Sequence, residues 1–115
     1  MASQTKTLKD VQDFIDKTAR YYGWAVISDD GFRTTVAEGL LASYWRYGFF
    51  QCPCRDSYGD IAHDRDIMCP CTYCWPDIEE YGQCFCGLFV SKGFEKEGHS
   101  PTSIPERRPD EYFPY

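Results

Sequence analysis

The chain has 115 residues, a net charge of −6 and an aromatic content of 17%. That length fits one domain with a modest core, and the aromatic content argues against a disordered polymer. An acidic chain lacks the basic face that phosphates require, so nucleic acid is not an expected partner.

Mean hydropathy is −0.53, and no apolar run approaches the roughly 20 residues that span a bilayer. No membrane association is expected. The first residues, Met1-Ala2-Ser3-Gln4-Thr5-Lys6, contain no apolar stretch of the signal-peptide kind and no Arg-rich transit pattern. The expectation is a reducing cytoplasm, where clustered cysteines are more often metal ligands or redox catalysts than structural disulfides.

Residues 1–50 read as the helical part. An amphipathic helix is expected over 7–22, with Thr7 as N-cap and Asp10 at the capping-box position. Leu8, Val11, Ile15, Ala19 and Tyr22 recur at helical spacing, and Gly23 suits the residue after the last turn. Residues 24–28 read as a short extended segment, and Asp29-Asp30-Gly31 as a turn. A second helix is expected over 34–47, lined by Val36, Leu40, Leu41, Tyr44 and Tyr47 and ended by Gly48. Residues 77–81 suggest one short helical turn. Leu88, Phe89 and Val90 form an apolar run expected to pack against the cysteines. Residues 100–115 hold Pro101, Pro105, Pro109 and Pro114 without periodicity, so a tail is expected that wraps the surface or stays mobile. The fold class is therefore mostly α with irregular loops, a small single domain gathered around a metal centre.

The chemistry concentrates in residues 51–90. Cys52-Pro53-Cys54, Cys69-Pro70-Cys71 and Cys84-Phe85-Cys86 hold six of the seven cysteines, and Cys74 is the seventh. Seven acidic residues and one basic residue, Arg65, lie between Asp56 and Glu80 and read as a solvated face. In extended backbone, a Cys-x-Cys pair sends its sulfurs to opposite sides, and Pro53 favours that geometry at Cys52. The first and third pairs can thus each divide between a buried centre and the outside, while the second turns both sulfurs inward. Three readings fit the spacing: an iron–sulfur cluster with a redox disulfide, a structural zinc site using Cys71 and Cys74, or a disulfide-stapled secreted module.

The motifs Cys-Pro-Cys-Arg at 52–55, Cys-Pro-Cys at 69–71 and Cys-x-Cys-Gly-Leu-Phe at 84–89 resemble the catalytic (beta) chain of ferredoxin:thioredoxin reductase. The resemblance extends to chain length, pair order and the preceding helical region. It implies a small, largely helical disc folded around a [4Fe–4S] cluster, with Cys52, Cys69, Cys71 and Cys84 as ligands. It also implies that Cys54 and Cys86 form the active-site disulfide beside that cluster. The implied activity is a ferredoxin-dependent disulfide reductase that takes electrons one at a time from ferredoxin. These pass through the cluster to the disulfide, which reduces thioredoxin or a thioredoxin-like protein, with Cys54 as the attacking thiolate. The alternative is an electron-transfer or zinc-stabilised interaction module without reductase activity.

Several positions depart from the family pattern or stand beside it. Phe85 occupies the place of the family's usual His, and His63 is the nearest candidate in sequence for its proton-transfer role. Arg55 is placed to lower the pKa of Cys54 or to pair with Asp56 or Asp60. Fourteen residues separate Cys54 from Cys69 and twelve separate Cys71 from Cys84. These spacings mark a divergent branch and leave open a small variable partner subunit, a homodimer or a lone chain. Cys74 has no counterpart in the motif. Trp75-Pro76 is a candidate docking face or a piece of core, and Arg33, Arg46, Arg107 and Arg108 are candidates for a basic patch facing an acidic ferredoxin.

Overall fold

A computed structural model of the chain describes residues 6–53 and 58–113. The first helix, α1 (Leu8–Tyr22), starts where the cap chemistry requires. The Thr7 hydroxyl accepts the Asp10 N–H at 3.3 Å and the Asp10 carboxylate accepts the Thr7 N–H at 3.0 Å. Gly23 ends the helix at φ +78°, a left-handed conformation that favours glycine. Val11, Ile15 and Ala19 are buried as expected, and each fully buried Val or Ile contributes about 1.5 to 3 kcal/mol of hydrophobic transfer. Tyr22 differs from expectation: it stays 41% exposed and stacks on Trp24.

The second helix, α2 (Asp30–Tyr47), begins four residues earlier than its apolar spacing suggests. Asp29 is the reason. Its carboxylate accepts the Phe32 N–H at 2.9 Å, so the expected turn becomes the helix's first turn. The chain continues through α3 (Ile61–Asp64), a short 3-10 turn and α4 (Cys74–Tyr81), which is longer than the single turn expected over 77–81.

Two segments read as extended or merely apolar form a small antiparallel ribbon. Strand β1 (Ala25–Val26) pairs with β2 (Phe89–Val90), Ala25 opposite Val90 and Val26 opposite Phe89. The ribbon connects the helical half to the cysteine half. One hydrophobic core includes Val11 and Ile15 of α1, Leu40 of α2, Ile78 of α4 and Phe89 of β2, and Cys74 and Cys84 belong to it. The fold and the cysteine site therefore share a core.

The proline-rich tail wraps the surface. Arg108, 2% exposed, reaches Asp66 through Nε at 2.9 Å and Nη2 at 3.2 Å. Arg107 reaches Asp77 at 2.8 Å and also pairs with Glu80. Among the described residues, no helix is long and apolar enough to cross a membrane.

Candidate functional site

Three local devices bring the cysteines together. The first is an antiparallel bridge between Gln51 and Met68. Across it the Cys52 N–H donates to the Ile67 carbonyl and the Cys69 N–H to the Phe50 carbonyl, both at 2.8 Å. This register sets the first and second cysteine pairs side by side. The second device is the turn into α4, where the Cys74 N–H donates to the Cys71 carbonyl at 3.0 Å. It follows a cis Cys69–Pro70 peptide. The third is the 84–87 turn, closed by Gly87 N–H to the Cys84 carbonyl at 2.9 Å and anchored to β2 by Cys84 N–H to the Phe89 carbonyl at 2.9 Å.

The result is one pocket walled by Cys52, Cys69, Cys71, Cys74, Cys84 and Cys86, with Val36, Leu40, Phe85, Leu88 and Phe89 completing it. The sulfurs of Cys52 and Cys86 are 3.0 Å apart. Cys52, Cys74 and Cys84 are buried, and Cys69, Cys71 and Cys86 are half-buried. Among the described residues, no three His, Cys, Asp or Glu side chains converge as ligands of a single metal ion.

The electrostatics divide the thiols. Burial first, and then the sulfurs of Cys52, Cys84 and Cys71, push the Cys69 thiol well up. Cys74 is pushed up by its hydrogen bond to Cys84 and by burial. Cys84 moves the other way. The bond from Cys74 is the largest cause and the backbone N–H groups of Phe89 and Leu88 add to it, so the thiol is held below its ordinary value despite burial. The Phe89 N–H donates to the Cys84 sulfur at 3.4 Å. Hydrogen bonds to the charged form favour that form, which is why the Cys84 thiol shifts down while Cys69 and Cys74 shift up.

The family model for the ferredoxin thioredoxin reductase catalytic beta chain matches residues 1–107. The chain belongs to that family. No curated protein matches it. Family membership makes it an oxidoreductase chain of the ferredoxin thioredoxin reductase type.

Within this reductase-family chain, the structure brings together Cys52, Cys69, Cys71, Cys84 and Cys86 of the expected site. Cys54 and Arg55 lie outside the described residues. Phe85 takes a place in the pocket wall, and a phenyl ring has no proton to exchange. His63 is not part of that wall. Its ring is exposed, bonded through Nδ1 to Asp60 at 2.7 Å and stacked on Tyr58 at 4.4 Å.

Three of the four arginines suggested for a basic patch are ion-paired. Arg33 pairs with Asp30, Arg107 with Asp77 and Glu80, and Arg108 with Asp66. Pairing of this kind is what an acid-rich surface does with its cations. Trp75 is 49% exposed and leads inward by ring contacts, 5.8 Å to Trp24 and from Trp24 5.5 Å to Phe89 of the pocket wall.

Sequence reasoning leaves Cys74 open as a free thiol, an alternative ligand or a site for an intermolecular bond. It lies inside the pocket and is 2% exposed. The available signal was its spacing from Cys71, which also fits half of a zinc site.

Proposed function

We propose that this chain reduces the disulfide of thioredoxin or a thioredoxin-like protein, using electrons from ferredoxin, a [4Fe–4S] cluster and a Cys54–Cys86 redox pair. The observation that carries the reading is the 3.0 Å approach of Cys86 to Cys52 in a pocket walled by six cysteines. A sulfur assigned to disulfide chemistry stands beside one assigned to hold the cluster.

The donor set suits the cluster. Iron–sulfur centres are held by cysteine thiolates, and a multi-iron cluster takes one per iron, so its ligands surround a volume instead of converging on a point. Cys52, Cys69, Cys71 and Cys84 stand on the wall of one apolar pocket and are assigned as those ligands. When bound, the cluster supplies one-electron transfer, which reconciles a one-electron donor with a two-electron disulfide.

The remaining chemistry is thiol–disulfide exchange on this chain's own residues. The thiolate of Cys54 attacks a sulfur of the thioredoxin disulfide, forming a mixed disulfide and releasing one thioredoxin thiolate. The thiolate of Cys86 then attacks the Cys54 sulfur, restoring the Cys54–Cys86 disulfide and releasing dithiol thioredoxin. Two electrons from ferredoxin return the pair to the reduced state. With Phe85 next in the chain, the half-buried Cys86 exchanges its proton with solvent. A reducing cytoplasm is the compartment in which such a couple is kept working.

The test is anaerobic purification followed by a visible spectrum, iron and zinc analysis, and thioredoxin reduction by wild type and Cys54→Ser. A brown protein with about four irons per chain, whose reductase activity disappears in Cys54→Ser while iron remains, is the expected result. A colourless protein carrying zinc, or unchanged reduction in Cys54→Ser, overturns the reading.

A further inference from the structure

The 84–87 turn that carries Cys86 is gripped at both ends by the C-terminal tail. Just before it, Gln83 is 2% exposed. Its Nε2 donates to the Thr102 carbonyl at 2.9 Å and to the Cys84 carbonyl at 3.2 Å, and its Oε1 accepts the Thr102 N–H at 2.8 Å. At the other end, Gly87 has φ +78° and lies so close to the tail that a Cβ there would stand 2.9 Å from Cβ of Pro101. The Cys84 carbonyl bonded by Gln83 is the same one that closes the turn by accepting the Gly87 N–H.

A glutamine in a core is costly unless its amide is satisfied. Here both amide protons and the oxygen are used, and every bond goes to irregular backbone that an apolar side chain could not hold. The turn is short, and Cys86 lies within it at 3.0 Å from Cys52. Movement of the turn therefore moves Cys86 relative to its neighbouring sulfurs.

We propose that Gln83 is a positioning residue for the redox site: with Thr102 and Pro101 of the tail, it fixes the 84–87 turn and thereby the placement and reactivity of the Cys86 sulfur. The importance of that placement rests on the reductase reading, in which Cys86 is half of the working disulfide. The tail, which has little regular structure of its own, becomes part of the site.

Gln83→Met keeps side-chain length and removes all three bonds. Thr102→Pro removes the amide donor at an exposed residue and leaves the Thr102 carbonyl in place as an acceptor. Each full-length variant is reduced anaerobically and alkylated with iodoacetamide, and the rate at every cysteine is read by peptide mass mapping. The midpoint potential of the Cys54–Cys86 couple is measured alongside.

In Gln83→Met, Cys86 is expected to react about tenfold faster or more, the effect of losing hydrogen bonds worth about 1 kcal/mol each. Cys52 and Cys69 are expected to hold their rates, and the midpoint potential to shift. Thr102→Pro should give a smaller change with the same selectivity, and it decides the matter if Gln83→Met does not fold. Equal acceleration at all cysteines, or a lower unfolding midpoint with no selective change at Cys86, overturns the proposal. Alkylation requires neither ferredoxin nor thioredoxin. A wild type that fails to reduce thioredoxin therefore sinks the reductase reading alone, and an unselective Gln83→Met sinks this one alone.

Discussion

Cys52 and Cys86, 34 positions apart in sequence, meet with their sulfurs 3.0 Å apart. One sulfur is carried by the bridge to Met68 and the other by the turn before β2. Their nearness makes the difference between their assigned roles measurable. Cys52→Ser should lose iron from the purified protein, because a ligand is gone. Cys86→Ser should keep its iron and lose thioredoxin reduction. Equal iron loss in both variants would reject the division of labour within the first and third pairs.

Ser43 ties the end of α2 to the first cysteine pair. Its hydroxyl donates to the Leu40 carbonyl at 2.8 Å and accepts the Gln51 N–H at 3.0 Å, one residue before Cys52. Ser43→Ala leaves a buried N–H without that partner, at a cost of about 1 to 3 kcal/mol. Chemical denaturation should show this loss, and iron retention on dilution should fall with it. An unchanged unfolding midpoint would mean that the Ser43 link is not needed.

Gly39 is where Pro53 rests on α2. A Cβ at Gly39 would lie 2.8 Å from Cβ and 3.3 Å from Cγ of Pro53. Gly39→Val should displace the segment bearing Cys52 and destabilise the protein by about 1 to 3 kcal/mol, the usual range for overpacking. Far-ultraviolet circular dichroism should remain helical while iron content drops. Full iron occupancy in this variant would show that the segment moves without consequence.

Arg108 holds the tail to the loop between the first two cysteine pairs. It is buried and bonded to Asp66, with Asp64, also fully buried, 3.8 Å away. Arg108→Leu removes one partner of a buried ionic group and should cost about 3 to 5 kcal/mol in urea unfolding. Adding Asp66→Asn should recover part of that loss, because the stranded charge is then removed. No recovery in the double variant would contradict the pairing.

Acid should loosen the same contact. Burial pushes the Asp66 carboxyl up, but hydrogen bonds from Arg108 and Tyr73 outweigh it and hold the group below its ordinary value of 3.8. A carboxyl lowered by folding stabilises the native state above its unfolded pKa, about 3.9. That contribution is lost as pH falls through the lower native value. Urea midpoints measured from pH 6 down to pH 3 should therefore fall more steeply in wild type than in Asp66→Asn. Parallel profiles would remove Asp66 from the account.

Much of the chain's local structure was legible in residue order. The Thr7–Asp10 box, Gly23, Gly48 and the apolar spacing of Val11, Ile15 and Leu40 act over one or two helical turns, so a short window contains the whole interaction. The three Cys-x-Cys pairs likewise carried the family. Residue order leaves open which distant groups meet, and the folded chain settles it: Gln51 with Met68, β1 with β2, Gln83 with Thr102, and Arg108 with Asp66. The physical reason is the same in each case. A buried hydrogen-bonding group or ion must find a partner inside the folded chain, and that partner is set by how the core closes, which no short stretch of sequence contains.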